Sequence, residues 1–416
     1  MKKYSILIVF FLTGAIQSFA SDTLRVSLQQ ADSLFLAKNY YLLAASMNIE
    51  AQKAQIIQAG LYPNPIFTAD FNAYDPQNEQ AFHVNQSGQK AFQLEQVILL
   101  GGKRKSEIDM AKTNAAIAEL EFQKLIRQLK FRLHSDLFSL GQQKILLDKY
   151  SNQLARLDTI LSAYEIQANK GNIPLKDIVR LKGAYLKLNN DRAALYKDYY
   201  ETLSNVQILL HTSSYIDFQF TEDLISNYIK AKDLASLQEE ALANRPEILI
   251  QNQNKVLAEQ YYKYQKRLAI PDVNVFSSYD QRGGAFVNQI NAGVSIPLPL
   301  WNRNQGNIKT AKYKVSETAY QSDALQNELL SSLQNNYAHY TQTVSEYKKV
   351  TILYNQDFEI TVKGMTSNFQ KRNVSILEFV DFFEAYNEVL TELTRIKKEL
   401  VISGEQMNLL IGKDIY

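Results

Sequence analysis

Proline placement constrains this chain more than any other feature. Its eight prolines, at 63, 65, 76, 174, 246, 271, 297 and 299, leave uninterrupted stretches over 77–173, 175–245 and 300–416. Proline inside a helix removes a hydrogen bond and clashes with the preceding turn, so these stretches are free to run helical well beyond the usual three or so turns. Apolar residues within them form seams. Ile108, Ala111, Ala115, Ala118, Phe122, Leu125 and Leu129 recur at steps of three and four, and Ile376, Phe379, Phe383, Tyr386, Leu390 and Leu393 repeat the pattern near the C-terminus. That is the heptad period of packed, supercoiling helices. A helix from near Lys105 to about Asn169 would reach roughly 100 Å at ~1.5 Å per residue, too long for a compact domain.

The segments around the prolines have a different period. Gln289, Asn291, Gly293 and Ser295 alternate with Ile290, Ala292, Val294 and Ile296, and Phe67, Ala69, Phe71 and Ala73 alternate with Thr68, Asp70, Asn72 and Tyr74. A two-residue repeat of this kind gives a strand with one polar and one apolar face. Weaker versions cover Phe92 to Val97 and Val273 to Tyr279, so four strands in two hairpins are expected.

An internal repeat relates the halves. At an offset of 200, Leu94, Leu100, Ile108, Ala111 and Lys112 match Val294, Leu300, Ile308, Ala311 and Lys312. At an offset of 201, the run Gly171 to Val179 parallels Arg372 to Val380. The chain therefore reads twice as helix, hairpin, very long helix, turn, long helix. The first copy is expected over 21–215 and the second over 216–416, after a leader at 1–20. That leader has a basic start at Lys2 and Lys3, an apolar stretch from Tyr4 to Ile16 and a small-x-small site at Ser18-Phe19-Ala20, as a secretory signal peptide does.

Four amphipathic strands cannot close a membrane barrel, because lipid tolerates no open sheet edge and barrels begin at about eight strands. Three copies of the chain would supply a twelve-stranded barrel, with one strand face toward lipid and the other toward water. A soluble sandwich accounts for the alternation equally well, but not for helices of such length. Beyond the leader no run of ~18 apolar residues occurs, so any membrane-spanning part must be β.

Composition removes several other classes. A net charge of +2 gives no case for a nucleic-acid surface. The absence of cysteine rules out disulfides, thiolate metal sites and cysteine nucleophiles, and His83, His134, His211 and His339 lie too far apart to form a metal-binding pair along a helix. No nucleophile, base and orienting group assemble from any motif, and no Walker-type phosphate loop is present, so neither an enzyme nor a bound cofactor is expected.

Over essentially the whole length after the leader, the chain resembles the TolC-type outer-membrane efflux proteins in two tandem copies. The motifs that carry the resemblance are Tyr62-Pro63-Asn64-Pro65 entering the first hairpin and Leu100-Gly101-Gly102-Lys103-Arg104 leaving it. In the second copy they are Arg245-Pro246-Glu247-Ile248, Pro271-Asp272-Val273 and the run Pro297 to Gly306, the last similar to the CzcC and CusC heavy-metal branch. The resemblance implies a mainly α fold with a small β part: a tandem-repeat protomer of a trimeric 12-stranded outer-membrane β-barrel, continued by a long periplasmic α-helical barrel. It implies a homotrimer in outer-membrane lipid, working with a periplasmic adaptor and an inner-membrane pump of the RND type. The cargo it implies is metal cations or other small molecules, with drug or protein export open as alternatives. A passive porin would need no long helices, and a coiled-coil scaffold or adaptor no amphipathic hairpins.

The two matched turns are expected at the periplasmic tips, with Asn172 and Asn373 as residues able to start the following helix. By resemblance, Gly171, Asn172, Ile173, Arg372, Asn373 and Val374 belong to the adaptor contact. Val374 stands where related channels often carry a gating arginine. Glu378 and Asp381, three apart on one helix face, are the candidate pore constriction, since three chains would ring six carboxylates around the aperture and attract cations. Trp301, at a strand-to-helix junction, reads equally as an interfacial anchor or as packing at the barrel base.

Overall fold

The structure, a computed structural model, describes residues 23–416 except 231, 284 and 355. The expected leader at 1–20 lies outside the described residues. In chain order the elements are β1 (Thr23–Val26), α1 (Leu28–Lys38), α2 (Tyr40–Gly60), β2 (Ile66–Phe71), β3 (Tyr74–Asp75), β4 (Gln80–Ala81), β5 (Gln89–Ile98), α3 (Lys103–Asn169) and α4 (Leu175–Leu210). There follow β6 (Tyr215–Phe218), α5 (Glu222–Ser226), α6 (Leu234–Asn244), α7 (Pro246–Leu268), β7 (Val273–Arg282), β8 (Phe286–Ser295), α8 (Gln305–Leu353), α9 (Gln356–Gln370) and α10 (Ile376–Ile411). The fold is mainly helical with a small β part, as expected. It divides into two compact units, each drawing on separated stretches of sequence.

One unit comprises residues up to 39, 133–224 and 354–398. Its core is a helical coil in which Leu146, Tyr150, Leu154, Leu157 and Ile160 of α3 meet Leu181, Ala184 and Leu188 of α4. Phe369 of α9 and Phe379, Phe383, Tyr386 and Leu390 of α10 complete it. The C-terminal heptad seam is thus the buried face of α10, as its spacing predicts. Phe369 is fully buried, stacks on Phe379 at 4.1 Å between centroids and on Tyr164 at 5.2 Å, and so ties three helices together. The strands that open each sequence half, β1 and β6, pair in parallel from Thr23 with Tyr215 to Val26 with Phe218. Beside them Gly141 lets α3 come close, since a Cβ there would lie 2.9 Å from Phe220 Cβ.

The second unit comprises 40–132, 225–353 and 399–416. Its helical part is held by a polar tie inside apolar packing: Tyr228 donates to Glu405 Oε1 at 2.5 Å, and Tyr340 donates to the Tyr228 carbonyl at 2.8 Å. The four long strands form one antiparallel sheet in the order β2-β5-β7-β8. Each expected hairpin is present, and β5 pairs with β7 from Ile98 with Val273 to Gln89 with Arg282, joining the two. β3 and β4 add a small hairpin within the β2-to-β5 connection.

α3 runs 67 residues without a break, about 100 Å along its axis. Its second-half counterpart does not. α8 ends at Leu353 after 49 residues, and α9 begins at Gln356. Where the heptads lead to one very long helix, the structure has two. Tyr354 is half-buried against the helical core, its ring 5.3 Å from Phe358 and under the Lys149 ammonium, while the preceding Ile352 and Leu353 are exposed.

Candidate functional site

The two matched corners share one backbone solution. At the end of α3, Gly171 has φ +75°, its N–H donates to Ala168 O at 2.8 Å, and the Asn172 N–H donates to Gln167 O at 2.9 Å. At the end of α9, Arg372 has φ +63°, its N–H donates to Phe369 O at 3.0 Å, and the Asn373 N–H donates to Asn368 O at 2.9 Å. Both close the helix with a left-handed residue, a conformation that glycine adopts freely and arginine only at a cost of about 1 kcal/mol. Gly171, Asn172, Arg372 and Asn373 are exposed, Ile173 is half-buried, and Val374 packs against the core of its unit.

The helix starts differ from expectation. Asn172 does not cap α4: its amide donates to Gln167 Oε1 at 2.9 Å, and the cap position is Pro174, which needs no N–H there. Nor does Asn373 cap α10. Ser375 does, in a reciprocal box with Glu378: Ser375 Oγ accepts the Glu378 N–H at 3.3 Å, while Glu378 Oε2 accepts the Ser375 N–H at 2.9 Å and its hydroxyl at 2.7 Å.

Glu378 and Asp381 both lie on the exposed face of α10, opposite Phe379, Phe383 and Tyr386. The Ser375 hydroxyl, helped by its backbone N–H, holds the Glu378 carboxyl below the ordinary glutamate range. Glu388 and Glu392 extend the same face at helical spacing, an acidic stripe that the pairing of two residues does not reveal. Glu392 accepts from Nε and Nη2 of Arg395, at 2.8 and 2.6 Å. Glu388 and Glu392 also border a cavity of about 450 Å³ between α3, α4 and α10, which Asp191, Asp198 and Glu384 line with Lys187 as counter-charge.

The sheet presents a second kind of surface. Directly paired residues share a face, so Phe67, Leu94, Ser277 and Ala292 form one row and Ala69, Phe92, Tyr279 and Ile290 the next. The opposite face carries Thr68, Gln93, Ser278 and Asn291, then Asp70, Ala91, Asp280 and Gln289. The apolar face is largely uncovered, with Ile290 at 76 % and Phe67 at 66 % exposure. Among the described residues both edge strands, β2 and β8, lack an outer neighbour. On the polar face Gly293 is required because a Cβ would lie 2.5 Å from the Phe276 ring that covers it.

Among the described residues no group of three or more histidines and carboxylates is placed to hold a metal ion. In the β2-to-β5 connection, buried His83 meets Asp75 Oδ2 at 2.7 Å and Ser87 Oγ at 3.0 Å. Hydrogen bonds from Asn78 and His83 pull the Asp75 carboxyl down to about 2. The Ser87 hydroxyl donates to Asn85 Oδ1 at 2.8 Å, away from the imidazole, so this chain of side chains locks the loop rather than activating an alcohol.

No protein-family model matches the chain. The cobalt-zinc-cadmium resistance protein CzcC of Cupriavidus metallidurans is 23% identical over 292 residues, a stretch that covers 69% of this chain and 66% of that protein. Among solved structures, CusC, described for its transmembrane channel formation, superposes with a TM-score of 0.76 at 15% identity, covering 93% of this chain and 92% of its own. The outer membrane protein VceC of Vibrio cholerae superposes with a TM-score of 0.70 at 13% identity, over 94% of this chain and 97% of its own. Likeness at these identities establishes the fold.

Proposed function

We propose that this chain, which has the fold of the TolC-type channels, is one protomer of a homotrimeric outer-membrane exit duct. The observation that carries the reading is the sheet: four strands with two edges unpaired and an apolar face left largely uncovered among the described residues, on the same polypeptide as a helix of about 100 Å. Three copies would close the edges into a twelve-stranded barrel, place the apolar face in lipid and the polar rows around water. The helices then belong in the periplasm, where an adaptor and an inner-membrane pump, for which we take the RND type, would deliver cargo and energy. The halves 21–215 and 216–416 are read as two copies of one ancestral unit, each running strand, helices, hairpin and long helices.

The corners at Gly171, Asn172 and Ile173 and at Arg372, Asn373 and Val374 are assigned to the adaptor contact. Their exposed turns and shared geometry support this. Glu378 and Asp381 are assigned to the constriction. The name of CzcC and the acidic stripe on α10 favour divalent metal cations as cargo over drugs or proteins. Because Glu378 spends one oxygen on Ser375, Asp381 has the larger share of free carboxylate. In planar bilayers the protein should therefore pass cations in preference to anions, and Asp381→Asn should reduce that preference more than Glu378→Gln. Equal permeability to both ions in the unaltered protein, or no change in either variant, overturns the constriction, and absence of conductance overturns the duct.

A further inference from the structure

The connection from β8 to α8 is built to hold apolar side chains outward. Along it Ile296, Leu298, Leu300 and Trp301 are all exposed, Trp301 at 85 %. An indole is rarely left so bare, because its large apolar area favours burial. The loop is nevertheless firmly tied. Asn304, at φ +60°, donates from Nδ2 to both the carbonyl and Oε1 of buried Gln265 at 2.8 Å. Gln305 Nε2 donates to the Trp301 carbonyl at 3.1 Å, and Arg303 Nε to the Pro299 carbonyl at 3.2 Å. The two-residue alternation of the lipid-type face also continues past the last paired residue, through Ile290, Ala292, Val294, Ile296, Leu298 and Leu300.

The matching connection of the first half also exposes Ile98 and Leu100, but it differs at the aromatic and cationic positions. Gly101 stands at the place of Trp301, 200 residues earlier, and even a Cβ there would lie 2.8 Å from Ile270 Cδ1. Lys103, at the place of Arg303, is buried and paired with Asp272 at 2.8 Å. Arg303 is exposed and, among the described residues, meets no carboxylate, and Lys309 and Lys312 follow it on the exposed side of α8. An aromatic ring beside exposed cations at the end of an apolar sheet face fits the boundary between acyl chains and phosphates.

We propose that residues 296–303 form an interfacial lipid anchor. Leu298 and Trp301 enter the headgroup boundary of the leaflet nearer the helices, and Arg303 binds a phospholipid phosphate. This rests on the outer-membrane reading above. Trp301 is the sole tryptophan of the chain, so its fluorescence reports on this loop alone. The full-length protein would be reconstituted in vesicles of phosphatidylethanolamine and phosphatidylglycerol, floated on a density gradient, and exposed to lipids brominated near the headgroup or near the chain end. The expected result is a blue-shifted emission that iodide in the water barely quenches. Shallow bromines should quench it about twofold more strongly than deep ones, and Arg303→Gln should lower that ratio. Strong iodide quenching in floated protein overturns the anchor and leaves the channel standing. Quenching by neither lipid nor iodide also overturns it, because the indole is then covered by another copy of the chain. Protein that fails to float overturns the anchor and the outer-membrane reading together.

Discussion

At the scale of single residues, the corner before α10 shows how one carboxylate can serve two readings. The spelling Ser375-x-x-Glu378 is a capping box in plain sight, yet turn composition alone selects Asn373, and charge spacing alone assigns Glu378 to a pore. Structure gives Glu378 to the cap first. Its carboxyl is held below the ordinary range, so the stabilisation it lends is present above the ordinary glutamate pKa and is lost as pH falls through the lowered value. Ser375→Ala should quicken amide exchange over 376–379 by about fivefold, and it should abolish the acid sensitivity of that turn. Exchange followed by mass spectrometry from neutral pH into the acid range checks both. Unchanged exchange in the variant would mean that the box contributes nothing in solution. The left-handed Arg372 was not legible from its own side chain, in which nothing advertises φ +63°. Only its alignment with Gly171 at the matching corner points to it.

At the scale of elements, periodicity carried most of the information. The seam Phe379, Phe383, Tyr386, Leu390 is buried as written, and the four long strands fall where alternation puts them. What escaped are elements too short to show a period, such as β1, β6 and α5, and the break after Leu353, which no proline or glycine marks. Beside that break Tyr354 finds its partners on α3 and α9. The aromatic stack of Tyr164, Phe369 and Phe379 makes a sharper test of helix packing near the corners. Phe369 is fully buried between rings, so Phe369→Ala leaves a cavity and should cost about 3–5 kcal/mol. Loss of that packing should free the neighbouring turn at 371–374. The variant is expected to melt at lower temperature and to be cut there by protease under conditions that spare the parent. Resistance equal to the parent would show that the stack is not what holds this corner.

At the scale of the whole molecule, the constraint that matters is closure. Among the described residues the sheet in the order β2-β5-β7-β8 has two open edges, and each unpaired backbone group in lipid would cost several kcal/mol. The apolar side chains of that sheet favour the very environment in which those edges are least tolerable. The conflict is resolved only if β8 of one copy pairs with β2 of the next, and a closed ring of copies leaves no edge at all. The chain has no cysteine, so engineered thiols can test this pairing without background. One thiol goes on the polar face of β2 at Thr68, and the other is scanned along Gln289, Asn291 and Ser295 of β8. In one register the doubly substituted protein should form a covalent ladder of dimer and trimer under mild oxidation in the membrane, while each single variant stays monomeric on the gel. The band should stop at three copies, because twelve strands then close the barrel. A ladder that continues past trimer would make the contact an open polymer. Failure of every register to link copies would leave both edges bare, and no membrane barrel could be built from this sheet.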